Sequence, residues 1–232
     1  MKAKKFLFIL LNIVALLLTQ AFLLASFLRE INMSPFVRVL ILCTAFGCVY
    51  FADCLLWHTS SKERARVYTR DMFLCFFGLY VVLLVTMVLF DSYFGRTGSE
   101  LVFIWDVADR AEYIAQSVNL VPFSTIGCFF GSISEGTITA ETFWVNIAGN
   151  LFAFAPFALF LPVLFKAQRK LWVFLITIVL IVITVEAAQL VLLTGFCDID
   201  DLILNTIGAV VVYALLWRTP LCKLTHRFTK TD

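Results

Sequence analysis

Charged residues are scarce in this chain. They make up 15% of its 232 residues, whereas 62% are hydrophobic and the mean hydropathy is +0.96. This is far more apolar surface than one soluble core could bury, which excludes an ordinary soluble domain. The net charge of +2 gives no support to a nucleic-acid partner, because the basic residues behind it flank apolar runs.

Histidine is nearly absent, since His58 and His226 are the only two. The seven cysteines include no C-x-x-C pair, which excludes the common zinc-binding spacings. Cys128 and Cys197 are both expected to face the outside of the cell, where a disulfide is permitted. The sequence leaves open whether they pair.

Long apolar runs are what the chain has in abundance. Six of them approach the roughly 20 residues that a helix needs to cross ~30 Å of hydrocarbon. Their lack of polar alternation indicates helices rather than barrel strands. The first run is too long for a signal-peptide core and is expected to remain as a helix. The sequence therefore predicts an all-α polytopic bundle with spans at about 6–28, 37–57, 72–90, 144–165, 171–194 and 202–217.

Charges divide between alternate loops of this threading. Most of the Lys and Arg lie near the N terminus, at 62–70, at 166–170 and after residue 217, and the positive-inside rule assigns that side to the cytoplasm. Most of the Asp and Glu lie on the other side. We therefore expect a multi-pass cell-membrane protein with both termini in the cytoplasm. Both histidines are then cytoplasmic, so no His nucleophile or general base is available on the outer side.

The one long connection, residues 91–143, is expected to contain structure of its own. From Glu100 to Val118 apolar residues recur at three- and four-residue spacing, which predicts a helix lying in the outer interface. The alternative is a loop helix packed over the outer mouth of the bundle. Pro122 must end it. The next segment is expected to be irregular, as in a re-entrant loop, because of Gly127, Gly131 and Gly136.

Three spans carry polar side chains in their outer halves, at spacings that place each set on one helix face. Glu186 lies about 12 Å from the end of its helix, at ~1.5 Å per residue. An ionisable residue at that depth usually faces the bundle, finds partners and marks a functional site. The set consists of Asn146 and Asn150, Glu186 and Gln189, and Asp198, Asp201 and Asn205, with Asp200 beside them.

Structural explanations stand beside the functional one. Asn146 and Asp198 lie near predicted helix starts, where these residue types cap free amides. Asn150, Gln189 and Asn205 could instead form interhelical hydrogen bonds, and Asp200 could be solvated. Asp53, near the inner end of the second span, is interpreted as a structural ion pair with the basic segment 62–70.

Four motifs resemble the VanZ-like family in their order along the chain. They are Asn119–Phe123 (NLVPF), Asn146–Asn150 (NIAGN), Glu186–Gln189 (EAAQ) and Asp198–Gly208 (DIDDLILNTIG). The resemblance implies a bacterial multi-span membrane protein, in a family named for a member associated with low-level resistance to the antibiotic teicoplanin. It divides the chain into an N-terminal membrane region (1–98), a VanZ-like membrane domain (99–217) and a basic cytoplasmic tail (218–232).

These observations favour a non-enzymatic envelope protein without a cofactor, which binds an amphiphile in an outer-leaflet polar cavity lined by phenylalanine. The ligand could be a lipid-linked wall precursor or a lipoglycopeptide, among membrane lipids. One alternative is an enzyme on a polyprenyl or phosphate lipid, with Mg²⁺ held by the acids. Another is a transporter with Glu186 as proton carrier. The expected ligand-binding residues are Asn119, Pro122, Phe123, Asn146, Asn150, Glu186, Gln189, Asp198, Asp200, Asp201 and Asn205.

Overall fold

The computed structural model of the chain describes residues 2–27, 33–90, 107–222 and Phe228. Within that part, six helical segments are long and apolar enough to cross a membrane, which confirms the predicted all-α polytopic bundle. The elements are α1 (Lys2–Phe27), α2 (Pro35–Thr59), α3 (Lys62–Leu89), α4 (Val107–Gln116), β1 (Val118–Asn119), α5 (Ser124–Ser134), α6 (Ala140–Ala153), α7 (Phe157–Leu164), a 3-10 turn (Lys166–Arg169), α8 (Leu171–Val191), β2 (Cys197–Asp198) and α9 (Ile199–Arg218).

Two compact units divide the chain, and the first consists of α1, α2, α3 up to Met87, and Phe228. Helices α1 and α2 pack against each other, with small buried residues that include Ala15, Ala45 and Ala52. Small side chains let helix backbones approach closely where no hydrophobic effect drives association in lipid. Small buried side chains of this kind suit the close packing of helices within this unit.

Helix α3 begins at Lys62, ten residues before its predicted start near residue 72. The basic segment 62–70 is thus the first turns of a helix and not a loop. In the same region Asp53 is fully buried and accepts a hydrogen bond from the Thr69 hydroxyl at 2.5 Å. The Trp57 indole donates to that hydroxyl oxygen at 3.1 Å. The ion pair expected for Asp53 stays a prediction.

The second unit, residues 88–227, contains α4 to α9. Helix α4 confirms the predicted helix over Val107–Gln116 but ends before Val118, which lies in β1. Residues 100–106 of that prediction lie outside the described residues. The irregular segment predicted after Pro122 is wrong, because α5 runs through both Gly127 and Gly131. A glycine inside a helix costs only about 1 kcal/mol. Gly136, just after α5 ends, has left-handed backbone at φ 71°.

The fourth span is two helices. It starts at Ala140, where the Thr139 side chain accepts from the Thr142 amide, and it breaks between Ala153 and Phe157. Pro156 lacks an amide proton, so the helical hydrogen-bond ladder cannot continue through it. The observed span therefore starts four residues before the predicted one (144–165), and a break divides it into two helices.

Helix α9 contacts α6, α7 and α8 and so forms the centre of this unit. It approaches α6 closely at Gly208. A Cβ atom there would overlap the carbonyl oxygen of Leu151 on α6 and lie 2.7 Å from the carbonyl carbon. The contact requires glycine for space, and it fixes the face of α9 that lies on α6.

Candidate functional site

A parallel strand pair joins two segments of the second unit that are distant in sequence. Val118 pairs with Cys197 and Asn119 with Asp198, and the Cys197 amide donates to the Ser117 carbonyl at 2.8 Å. Parallel strands need a long crossover connection, which α5 to α8 supply here. The Asn119 motif and the Asp198 motif, distant in sequence, are thereby side by side.

Asp198 is the N-cap of α9, as predicted. Its Oδ1 accepts from the Asp200 amide at 2.8 Å. Its Oδ2 accepts from the Thr125 hydroxyl at 2.5 Å, and the Asn119 amide nitrogen lies 3.4 Å from Oδ1 and 2.9 Å from the Thr125 oxygen. One carboxylate thus caps α9 and also holds the loop that leads into α5.

Asp200 is 1% exposed, so its interpretation as a solvated residue is wrong. Its Oδ1 accepts from the Phe123 amide at 2.5 Å and its Oδ2 accepts from the Ile126 amide at 3.0 Å. These amides lie at the N terminus of α5, which has no side-chain cap of its own because Phe123 precedes it in left-handed backbone at φ 63°. Asp200 therefore caps α5 from another helix and stabilises its positive dipole end.

Asp201 connects α9 to α6. Its carboxylate accepts a hydrogen bond from the Asn150 side chain, and its backbone carbonyl accepts from the Asn205 side chain at 2.7 Å. Asn205 is 3% exposed, and its Oδ1 has no hydrogen-bond partner among the residues that the structure describes. Interhelical hydrogen bonding is thus correct for Asn150, while Asn205 leaves one buried acceptor unpaired.

Glu186 on α8 completes the group. It is 7% exposed, and its Oε2 lies 3.3 Å from the Asp198 amide that donates to it. We call Glu186, Asp198, Asp200 and Asp201 the acidic cluster. Gln189, one turn from Glu186 and 1% exposed, donates to the Val88 carbonyl at 3.0 Å. Its Oε1 has no partner within the described part of the chain.

The pKa of Cys197 is affected by the negative charges of the acidic cluster. Burial raises the pKa of its thiol, and the nearby carboxylates of Glu186, Asp198 and Asp201 raise it further. The same side chain thus senses three members of the acidic cluster. Cys128 and Cys197 are both free thiols, so the permitted disulfide is not formed.

Some predicted site residues lie apart from the acidic cluster. Asn146 is exposed and donates to the Thr142 carbonyl of its own helix at 2.8 Å, and it does not cap α6, because that helix starts at Ala140. Pro122 is exposed, and Phe123 contributes its backbone amide while its side chain is 64% exposed. Thr125 was missed, since a threonine at a helix start has no sequence signal that links it to an acid 73 residues away.

The acidic cluster does not fit the Mg²⁺ site of the enzyme alternative. Both oxygens of Asp198 and both of Asp200 already accept hydrogen bonds from amides or a hydroxyl. Over the described ranges, no three His, Cys, Asp or Glu side chains are grouped in a way that could hold a metal ion. The groups that donate to Asp198 and Asp200 are those of helix starts and of the loop before α5, so these carboxylates have a structural role.

A family model described as VanZ/LLP1 matches residues 77–222, which is more than half of the chain. No curated protein and no solved structure matches the chain.

Proposed function

The chain belongs to the VanZ/LLP1 family, and we propose that it is an envelope protein that binds an amphiphile at the acidic cluster without converting it chemically. The ligand class is a lipid-linked wall precursor or a lipoglycopeptide. Binding would change the susceptibility of a bacterial cell to glycopeptide antibiotics such as teicoplanin. The family membership and the six apolar helices support a multi-pass membrane protein.

One observation carries the proposal: the backbone amide of Phe123 contacts a polar group, whereas its ring is an exposed apolar surface. Its amide donates to the buried carboxylate of Asp200, while its ring is exposed together with the neighbouring Leu120 and Val121. A polar anchor and an apolar surface therefore lie within one residue of each other. An amphiphile has the complementary division, with a polar head for the cluster and a hydrocarbon part for the exposed apolar side chains.

The head group that fits is one that donates hydrogen bonds. The neighbourhood offers the carboxylates of Glu186 on α8 and Asp201 on α9, and a Gln189 amide oxygen that has no partner among the described residues. These groups accept hydrogen bonds and do not neutralise phosphate. Sugar hydroxyls and amines, which wall precursors and lipoglycopeptides carry, suit such a surface better than a bare phosphate does.

The orientation of the second unit supports a ligand that arrives from outside the cell. Helix α8 follows the basic residues Lys166 to Lys170 and ends near the acidic cluster, whereas α9 starts at the cluster and ends at Arg218. Basic residues are enriched on the cytoplasmic side of membrane proteins. The acidic cluster would then face the outer leaflet, with the C terminus in the cytoplasm.

Two features favour binding over catalysis. Asp198 and Asp200 are occupied in capping helices, so they are poorly available as general bases or metal ligands. No histidine falls between His58 and His226.

The interrupted fourth span is the observation that favours the second candidate, a transporter with Glu186 as proton carrier, because broken helices are common in transporters.

The test is a binding measurement on purified protein in nanodiscs. The probes are a lipid-linked wall precursor, teicoplanin with its acyl chain, and vancomycin without one. We expect saturable binding of one acyl-bearing or polyprenyl-bearing probe and none of vancomycin. Replacing Phe123 by Ser removes apolar contact but keeps the amide, and should weaken binding about tenfold, as ~1.4 kcal/mol of lost burial implies.

Asn146→Ala is the matched control, because Asn146 is exposed and bonded within its own helix. It should bind like the wild type. If neither the precursor nor teicoplanin binds to a folded wild-type protein, the proposed function is wrong. Turnover of the bound lipid, detected by mass spectrometry and abolished in Glu186→Gln, would instead support an enzyme.

A further inference from the structure

The interruption of the fourth span releases a backbone carbonyl inside the second unit. In a continuous helix the Ala155 amide would donate to Leu151, but it donates to the Phe152 carbonyl at 3.2 Å. The Leu151 oxygen is directed at Gly208 on α9. A carbonyl that has lost its helical donor therefore faces α9 at the C-terminal, partially negative end of α6.

Asn205 lies on the same stripe of α9 as Asp201 and Gly208, at spacings of four and three residues. Contacts on both sides determine where this stripe points. Asp201 accepts from Asn150, and Gly208 touches Leu151, the next residue of α6. The buried side chain of Asn205, between the two, is therefore directed at the same end of α6.

The side-chain amides of Asn150 and Asn205 both donate hydrogen bonds to Asp201. Asn150 gives its nitrogen to the Asp201 carboxylate, and Asn205 gives its nitrogen to the Asp201 backbone carbonyl. An amide oxygen can only accept a hydrogen bond. If the Asn205 amide were rotated by 180°, its oxygen would face the Asp201 carbonyl oxygen, which is also an acceptor. Its Oδ1 is buried without a partner among the residues described. A buried acceptor of this kind destabilises the fold unless a donor or a cation reaches it.

We propose that Na⁺ binds at this contact between α6 and α9, with the Asp201 carboxylate, Asn205 Oδ1 and the Leu151 carbonyl oxygen as ligands. All three ligand atoms are oxygen, which hard cations prefer, and one carboxylate balances one positive charge. The C-terminal ends and unwound carbonyls of broken membrane helices are recurrent Na⁺ ligands. The Na⁺ site shares Asp201 with the acidic cluster, and unfolding in salt alone, without an amphiphile, tests it separately from the proposed function.

The experiment is thermal unfolding of the purified full chain in detergent, with NaCl, KCl or choline chloride at constant ionic strength. We expect Na⁺ to raise Tm saturably by about 3 °C or more, since a ligand that binds only the folded state stabilises it. K⁺ should have a smaller effect, and choline none. Asn205→Leu should remove the Na⁺ shift, while Asn146→Leu, an exposed amide on α6, should keep it.

Asn205→Asp guards against a variant that does not fold, because it keeps both the shape and the oxygen ligand. Its added charge should move the midpoint of the Na⁺ titration to a lower concentration. An unchanged Tm of the wild type in all three salts would overturn the proposal. A wild-type midpoint in both Asn205 variants would overturn it as well.

Discussion

The indole nitrogen of Trp217 on α9 donates to the carbonyl oxygen of Ala158 on α7 at 2.8 Å. That carbonyl is four residues before Pro162, the position whose amide would normally pair with it. Since proline has no amide proton, the helix alone leaves Ala158 without a donor. A side chain from the neighbouring helix thus repairs a defect that the sequence places inside a membrane span.

Trp217→Phe should remove this donor and keep most of the apolar volume. We expect a loss of about 1–3 kcal/mol of unfolding free energy, because Ala158 is fully buried and its carbonyl would be left unpaired. Denaturant unfolding in mixed micelles measures the loss. Pro162→Ala restores the helical donor, so adding it should reduce the effect of Trp217→Phe. Equal losses in both backgrounds would contradict this explanation.

Gly208→Ala should destabilise the second unit. The added Cβ would overlap a backbone carbonyl on α6 and not a flexible side chain, so the two helices must move apart. Overpacking of this kind costs about 1–3 kcal/mol. Gly149→Ala on α6 is the control, since a Cβ atom there meets nothing within 4 Å. A stable Gly208→Ala protein with unchanged thermal unfolding would disprove the close contact.

Asp200→Ala should release the N terminus of α5. Both carboxylate oxygens that accept from the Phe123 and Ile126 amides would be lost, and loss of a helix cap costs about 0.5–2 kcal/mol. Hydrogen exchange should accelerate at residues 123–126. Asp201→Ala, which removes the acceptor of the Asn150 side chain on α6 instead, should leave exchange at these amides slow. Equal acceleration in both variants would argue for general loosening.

The thiol of Cys197 should react slowly with maleimide at pH 7. Its pKa is raised above the ordinary value, so the reactive thiolate is a smaller fraction at any pH below that pKa. The reaction rate should therefore still rise above pH 9. Replacing Asp201 by Asn removes one negative charge and should shift this profile to lower pH. Variants that keep one cysteine each permit the comparison with the exposed Cys128. An unshifted profile in Asp201→Asn would show that the carboxylate does not act on the thiol.

Apolar length predicted the membrane spans well, because ~20 residues of hydrocarbon crossing leave a strong compositional signal. Their boundaries were less predictable. Helix α3 starts among charged residues, at Lys62, where hydropathy gives no helix signal and helix propensity does. The break before Phe157 depends on one proline whose effect varies with tertiary packing.

For the site, helical periodicity correctly gave the shared faces of Glu186 with Gln189 and of Asp201 with Asn205. It could not give the function of Asp200, because the amides that Asp200 caps belong to a helix 74 residues earlier in the chain. The glycines of α5 led to the wrong prediction of an irregular segment for the same reason, because the carboxylate of Asp200, distant in sequence, stabilises the start of this helix. Long-range hydrogen bonds leave no local pattern in a single sequence.

The pairing of Asn119 with Asp198 also constrains the order of assembly. A ribosome must synthesise 79 further residues after Asn119 before its partner exists. During membrane insertion, the segment that starts α5 therefore waits, uncapped, until the last span begins to emerge. A nascent chain released before residue 197 would contain five of the apolar segments and yet no assembled site, so quality control of this protein would depend on α9.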